Sequence, residues 1–462
     1  MANIPPAGPA TDTDAPIDAP VGALVRAAAD ADEFPAGVAE WMLDQRWYAA
    51  KGNRASLERR GGWSVEQGGS SIHTHLMLDR QVGRATLYQV PLSHRSEPLD
   101  GVEPIVAEAG RYIYDGPRDP NFAAAILAQI HPDDVESVPR SARVLTGEQS
   151  NTSIICEMPT GAPVILKIFR ALHHGDNPDI VLQAAIAATG SQLVPSFVGS
   201  LGATWSDKGQ PEGEAHGHIA FAQEFLPGAE DAWRVALRAA ESGVDFSERA
   251  RALGGSTGEI HRILAEVMPT SETTEADIAQ AIEAMEVRLA TALEEVPALE
   301  PHRARIQSVL VGTRDATWPR LQRIHGDFHL GQVLAAPGRG WVIVDFEGEP
   351  LRAMVERSEP DFTLRDIAGM LRSFDYVAGT IADSVGVTRA NEWAAGARSA
   401  FLDGYADATG LDFGPLRGLL AAFELDKALY ETVYEARNRP DWVRIPLAAV
   451  LRLIDSDDLS GS

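Results

Sequence analysis

The sequence predicts an α+β protein, with its strands gathered before residue 226 and its helices after residue 231. Three observations carry this. Ser71 to Leu78 alternates, with Ile72, Thr74, Leu76 and Leu78 on one face, and a second β-patterned run follows at Ala85 to Leu92. Val164 to Phe169 (VILKIF) is a short apolar run broken by one Lys and preceded by Gly161-Ala162-Pro163, the pattern of a buried strand. Beyond residue 231, apolar residues recur at three and four spacing in Arg249 to Ala265, Asp277 to Leu293, Leu364 to Ile381 and Gly418 to Arg437, the period of amphipathic helices.

Taken in order, residues 1–30 are rich in Ala, Pro, Asp and Thr and read as a flexible tail. Residues 31–107 hold the two alternating runs, which predict a small unit of antiparallel strands. Residues 108–226 form a second unit. VILKIF is followed by a helical stretch, Ile180 to Ala188, and by a strand, His218 to Phe225, stopped by Pro227-Gly228. Between them, Ala203 to Gly217 is rich in Gly and polar residues and predicts a mobile hairpin loop. Residues 227–462 are helical apart from two short strands, near Val333-Leu334 and at Trp341 to Phe346.

With 45% hydrophobic and 23% charged residues, the 462-residue chain has ordinary globular composition. Its formal charge of -26 argues against binding through nucleic-acid phosphates or anionic lipid. The single Cys156 excludes an intrachain disulfide and a cysteine zinc cluster. There is no run of 18 apolar residues and no basic start followed by an apolar stretch, so a cytoplasmic protein without a membrane span is expected.

The strongest chemical signal is His325-Gly326-Asp327-Phe328-His329-Leu330-Gly331-Gln332, followed by the strand WVIV and then Asp345-Phe346-Glu347. Phosphoryl transfer asks for one carboxylate beside the attacking hydroxyl. It also asks for a second carboxylate and an amide oxygen on the metal ion that bridges the nucleotide phosphates. Asp327, Asp345 and Gln332 are residues of those types at workable spacing, and hard oxygen ligands suit Mg²⁺. The polar turn Gly147 to Ser153 (GEQSNTS) has the small residues that wrap phosphates with backbone N–H groups and hydroxyls. Lys167 in VILKIF is costly to bury unless paired. It is placed to contact the α- and β-phosphates, and the nearest acid on the next helix is Asp179. His261 reads as a packing or capping residue, Cys156 as inert core, and Arg365 with Asp366 as a structural ion pair.

HGDFHLGQ with DFE resembles the catalytic and metal loops of protein-kinase-like phosphotransferases of the aminoglycoside and choline kinase group. Closer still, Glu148 to Ser153, Asp345 to Pro350 (DFEGEP), Leu364 to Tyr376, Tyr430 to Pro440 (YETVYEARNRP) and the earlier QRWYAAKG resemble the bacterial maltokinases, from about Trp41 to the C-terminus. The resemblance implies a bilobal kinase-like fold: a β-rich N-terminal cap, a β-rich nucleotide lobe and a mostly helical C-lobe. It implies an ATP- and Mg²⁺-dependent enzyme of α-glucan metabolism that phosphorylates maltose at C1.

It further implies that Asp327 is the catalytic base and that Gln332 and Asp345, assisted by Glu347, hold the metal. Gln149, Ser150, Asn151, Thr152, Ser153 and Lys167 would hold the phosphates. Glu224 and Leu226, through main-chain groups, would hold adenine, and Asp231 the ribose, although Asp231 also suits a helix N-cap. Acceptor contacts would come from Asp327, His329, Tyr376, Glu431, Tyr434, Glu435 and Arg437, with Trp442 beside them. On composition alone that last helix is a solvated charged face, and the resemblance assigns it to the sugar. No covalent enzyme intermediate is expected. The partner is a small sugar, with no nucleic acid or membrane, and a monomer is favoured. Two alternatives fit the same loops: a kinase of another sugar such as glucosamine, and a catalytically silent nucleotide-binding relative. Retention of Asp327 and Asp345 speaks against the second.

Overall fold

The computed structural model describes residues 23–28, 34–49, 56–80, 85–108, 110–131, 138–145, 151–349, 352 and 354–455. The first sheet orders its strands Leu57–Gln67, Ser70–Asp79, Thr86–Arg95, Arg111–Asp115 and Val106–Glu108, all antiparallel. It runs to Asp115, past the boundary at 107, because Arg111–Asp115 returns against Thr86–Arg95 before the chain leaves.

The second sheet has six strands in the order Ala23–Arg26, Phe197–Ser206, Glu214–Glu224, Val164–Phe169, Asn151–Glu157 and Ser141–Val144. Two expectations are corrected here. Most of the tail at 1–30 lies outside the described residues, but Ala23–Arg26 within it is a strand paired parallel to Phe197–Ser206. Val25 turns to the core there while Leu24 is exposed, an alternation too short to stand out among the neighbouring Ala and Pro. The supposed mobile loop at Ala203 to Gly217 is mostly strand: the ladder continues to Ser206 opposite Glu214 and leaves Asp207 to Gly213 as the turn. Gly and Glu lower strand propensity, yet cross-strand packing of Ala203, Trp205 and Ala215 overrides it.

The two sheets share one core. Ile72, Leu76 and Leu87 of the first join Leu166, Ile168 and Phe221 of the second, with helix Pro120–Ile130 between them. Side-chain ties reinforce this. Gln89 donates to the Phe169 and Ile219 carbonyls, and the buried Arg170 holds Asp115 with Nη2 and Thr152 Oγ1 with Nε while lying under the Trp47 ring.

The C-terminal half is a helical body with a three-stranded sheet, Glu230–Asp231, Val333–Ala336 and Gly340–Ile343, facing the cleft. Helices Ser247–Val267 and Val387–Thr409 cross in backbone contact. A Cβ on Gly254 would lie 2.0 Å from the Phe401 carbonyl oxygen, and one on Gly404 would lie 1.9 Å from that of Arg251. Against these pack Thr363–Val385 and Arg417–Asn438, which carry polar groups to the cleft.

Candidate active site

The HGDFHLGQ loop is held from behind. The Asp366 carboxylate, at the start of helix Thr363–Val385, accepts from the His325 and Gly326 amides, each at 2.8 Å. Asp366 also meets His261 Nε2 at 3.0 Å, and His261 Nδ1 meets the Tyr405 hydroxyl at 2.9 Å. Asp366 is therefore a clamp on the loop, not the partner of Arg365, which pairs with Asp361 and Asp426. Gly326 has φ +85°, a conformation that L side chains resist, and this turn lets Asp327 leave the loop toward the cleft.

Strand Gly340–Ile343 ends two residues before Asp345, which sits at φ +68°. It is the one non-glycine residue in the left-handed region among the described residues, and such strain collects at functional positions. Lys167 Nζ is 2.9 Å from Asp179 Oδ2 and 3.9 Å from Asp345 Oδ1. Asp179 lies in the first turn of helix Pro178–Ala188 and its other oxygen accepts from Gln183 Nε2 and the Phe346 amide. It is the acid partner of Lys167. Burial opposes the Lys167 charge, but Asp179, Asp345 and Glu347 outweigh it and hold the ammonium well above its usual range.

Asp179, Asp345 and Glu347 place carboxylate oxygens within 4.8 Å of one another. Burial, then Asp345 and Asp179, push the Glu347 carboxyl up to about 7. Hard oxygen donors in surplus fit a divalent cation. Gln332 lines the same cleft, and its carbonyl accepts from the Val344 amide at 3.0 Å, joining the two loops.

Two cavities meet at Asp327. The first, of about 480 Å³, lies between the lobes and is lined by Asn151, Lys167, Glu224, Leu226, Gln332, Asp345 and Glu347. The second, of about 410 Å³, lies under helix Arg417–Asn438 and is lined by His329, Tyr376, Lys427, Glu431, Tyr434, Glu435, Arg439 and Trp442. Asp327 lines both. Burial alone would raise its carboxyl. Lys427, whose Nζ is 3.1 Å from Oδ1, outweighs that with His329 and His325 and holds it below the usual carboxylate range.

Of the expected nucleotide residues, Gln149 and Ser150 lie outside the described residues. Asn151 lines the first cavity and donates to Glu347 Oε1 at 3.2 Å. Thr152 and Ser153 do not line it. Both are buried in strand Asn151–Glu157, and the Thr152 hydroxyl is taken by Arg170. Asp231 is also corrected: it caps helix Ala232–Ser242, accepting from the Arg234 amide at 2.8 Å, and stands outside the cavity lining. The Glu224 side chain binds Ser196 and Arg339, and its amide donates to the Ser196 carbonyl.

On the acceptor side the correction is Arg437. It points away and pairs with Glu295 on the surface. Helix Arg417–Asn438 stops at Asn438, and Arg439, at the C-cap, lines the cavity instead. There it holds Glu435 Oε1 at 2.6 Å and lies over the Tyr434 and Trp442 rings. Glu435 also accepts from the Tyr376 hydroxyl at 3.1 Å, and Glu431 is gripped by the buried Arg372. Lys427 and Glu349, 2.6 Å apart, were assigned no role by sequence reasoning. The signal was present: Lys427, Glu431 and Glu435 are spaced four apart on one helix face.

Residues 141–419 match the family described as "Phosphotransferase enzyme family", and residues 41–119 match the "Maltokinase N-terminal cap domain". The chain belongs to the phosphotransferase enzyme family. This phosphotransferase is a kinase with an alcohol group as acceptor, and ATP with Mg²⁺ is the donor typical of its family. It is 28% identical over 341 residues to the glucosamine kinase of Mycolicibacterium smegmatis, covering 68% of this chain and 80% of that protein. To the glucosamine kinase of Streptacidiphilus jiangxiensis it is 30% identical over 246 residues, 49% of this chain and 56% of that protein. A solved glucosamine kinase in complex with glucosamine, ADP and inorganic phosphate shares the fold, with a TM-score of 0.63 at 22% identity over 89% of this chain and 96% of that one. Among the described residues no helix is long and apolar enough to cross a membrane.

Proposed function

We propose that this phosphotransferase moves the γ-phosphoryl group of ATP onto a hydroxyl of a neutral sugar, with maltose, phosphorylated at C1, as the preferred acceptor. The observation that supports the reaction is that Asp327 stands in both cavities. A carboxylate there faces a donor on one side and orients an acceptor hydroxyl on the other, taking its proton as the bond to phosphorus forms. Asn151 and Lys167 hold the phosphates. The Glu224 carbonyl and the Leu226 amide are assigned to the adenine edge. Gln332, Asp345 and Glu347 would hold Mg²⁺, which when bound offsets charge on the phosphates. His329 and the Glu431–Tyr434–Glu435 face, with Tyr376, Arg439 and Trp442, hold the sugar.

The choice of a neutral sugar rests on charge. Each of the three acids lining the acceptor cavity already has a cation: Asp327 has Lys427, Glu431 has Arg372 and Glu435 has Arg439. An ammonium group entering there would find each of these three carboxylates already in contact with a cation and would meet Lys427 and Arg439. Paired groups of this kind suit hydroxyls, which both donate and accept, and the stacked Tyr376 and Trp442 rings suit a second sugar ring. The second reading, an amino sugar as acceptor, is favoured by the names of the curated relatives. ADP release measured over maltose, glucosamine, glucose and aminoglycosides tests both. The highest kcat/KM is expected on maltose, and a higher value on glucosamine would replace this reading with the second.

A further inference from the structure

Lys427 lies where three segments converge: the acceptor helix, the catalytic loop and the stretch after Asp345. Its Nζ is 3.1 Å from Asp327 Oδ1 and 2.6 Å from Glu349 Oε1, and 5.0 Å from the centre of the Tyr430 ring. The side chain is only 17% exposed, and a buried ammonium needs such partners. An ammonium has three donors, and two are spent on acids that belong to different loops. Asp327 and Lys427 are 100 residues apart, so this contact fixes how the helix that carries the sugar groups sits on the loop that carries the reactive acid.

We propose that Lys427 is a positioning residue for phosphoryl transfer: by binding Oδ1 of Asp327 it fixes the carboxylate so that Oδ2 faces the acceptor hydroxyl, and it locks the sugar-bearing helix in register with the catalytic loop. The inference rests on Asp327 as the acid that meets the hydroxyl. In-line transfer through a loose transition state asks little of base strength and much of alignment, so a cation beside the base costs little while a fixed geometry gains much. The positive charge also stands on the acceptor side of Asp327, where it opposes any cationic group next to the reacting hydroxyl.

A purely structural account is available, since Lys427 also neutralises the buried Glu349. Three variants separate the two. Lys427→Met is expected to lose about 100-fold in kcat, the scale of a roughly 1 Å misplacement, with the KM for ATP nearly unchanged. Lys427→Met/Glu349→Gln removes both charges of the structural pair. It is expected to regain much of the melting temperature lost by Lys427→Met, with only Asp327 left without its cation, while kcat stays low. Lys427→Arg, which keeps a donor near Asp327, is expected to recover part of kcat. Recovery of kcat together with melting temperature in the double variant would make the role structural and overturn the proposal, as would a single Met variant with wild-type kcat. Asp327→Asn is the control. If it stays active, Asp327 itself has been misassigned and the proposal falls with it; if it is inactive while Lys427→Met is not, only the proposal falls.

Discussion

Arg437 and Arg439 are two residues apart and serve different surfaces. Arg437 lies in the last helical turn and reaches Glu295 outside, whereas Arg439, at the C-cap, lines the acceptor cavity. Arg439→Ala is therefore expected to raise the KM for the sugar at least tenfold, the loss of a charge-assisted contact worth about 1.5–3 kcal/mol, with the KM for ATP unchanged. Arg437→Ala is expected to leave both within about twofold, as exposed ion pairs contribute little. Steady-state kinetics of the two variants decide this. Asp345→Asn addresses the metal site. Asn tolerates the left-handed backbone that Asp345 adopts, so the substitution removes charge without adding strain. The Mg²⁺ concentration giving half-maximal activity should rise several-fold, because a neutral amide is a weaker ligand for a hard cation. An unchanged Mg²⁺ titration would remove Asp345 from the metal ligands. Both sites show how far single residues were legible. The pattern H-G-D-x-H-x-x-Q carries its chemistry in its spacing, but which of two nearby arginines faces a cavity depends on where a helix stops.

At the scale of elements, helix Thr363–Val385 is pinned by Asp375. Arg372, Arg398 and Arg452, from three helices, converge on that one carboxylate. Burial alone would raise it, but the three guanidinium groups outweigh burial and hold it down to about 2. Its folded pKa is below the unfolded value, so its contribution to stability is present above about pH 4 and is lost as pH falls toward 2. Asp375→Asn should cost about 3–5 kcal/mol at pH 7, the usual result of removing one partner from a buried pair. Denaturant titrations should show the gap between wild type and variant narrowing below pH 4, and a gap independent of pH would assign the effect to packing. Periodicity found this helix, as it found Ser247–Val267, Glu275–Glu295 and Arg417–Asn438, because each has an apolar stripe with polar flanks. It missed Val387–Thr409, where the inward face is built from Ala and Gly. Small residues bury little area and leave a weak stripe, yet they permit the backbone contact at Gly254 and Gly404 that holds the body together.

Across the whole molecule, the first sheet is wired to the strand that opens on the nucleotide cavity. Arg170 spans from Asp115 to Thr152, one residue from Asn151 in the cavity wall. Arg170→Lys keeps the charge and loses the planar fork. It is expected to lower the melting temperature and to raise the KM for ATP more than that for the sugar; equal effects on both would mean the tie stabilises the fold without shaping the nucleotide site. None of this was legible in the sequence, since Arg170 follows VILKIF as one more charge and its partners lie 55 and 18 residues away. The meeting of two cavities at Asp327 has a consequence that can be read in stereochemistry. A single carboxylate on the boundary leaves room for one direct passage of the phosphoryl group, with donor and sugar bound together. ATP made chiral at the γ-phosphorus with sulfur and oxygen isotopes should then yield a sugar phosphate of inverted configuration, as one in-line displacement requires. Retention would reveal two successive transfers and a protein-bound phosphate between them.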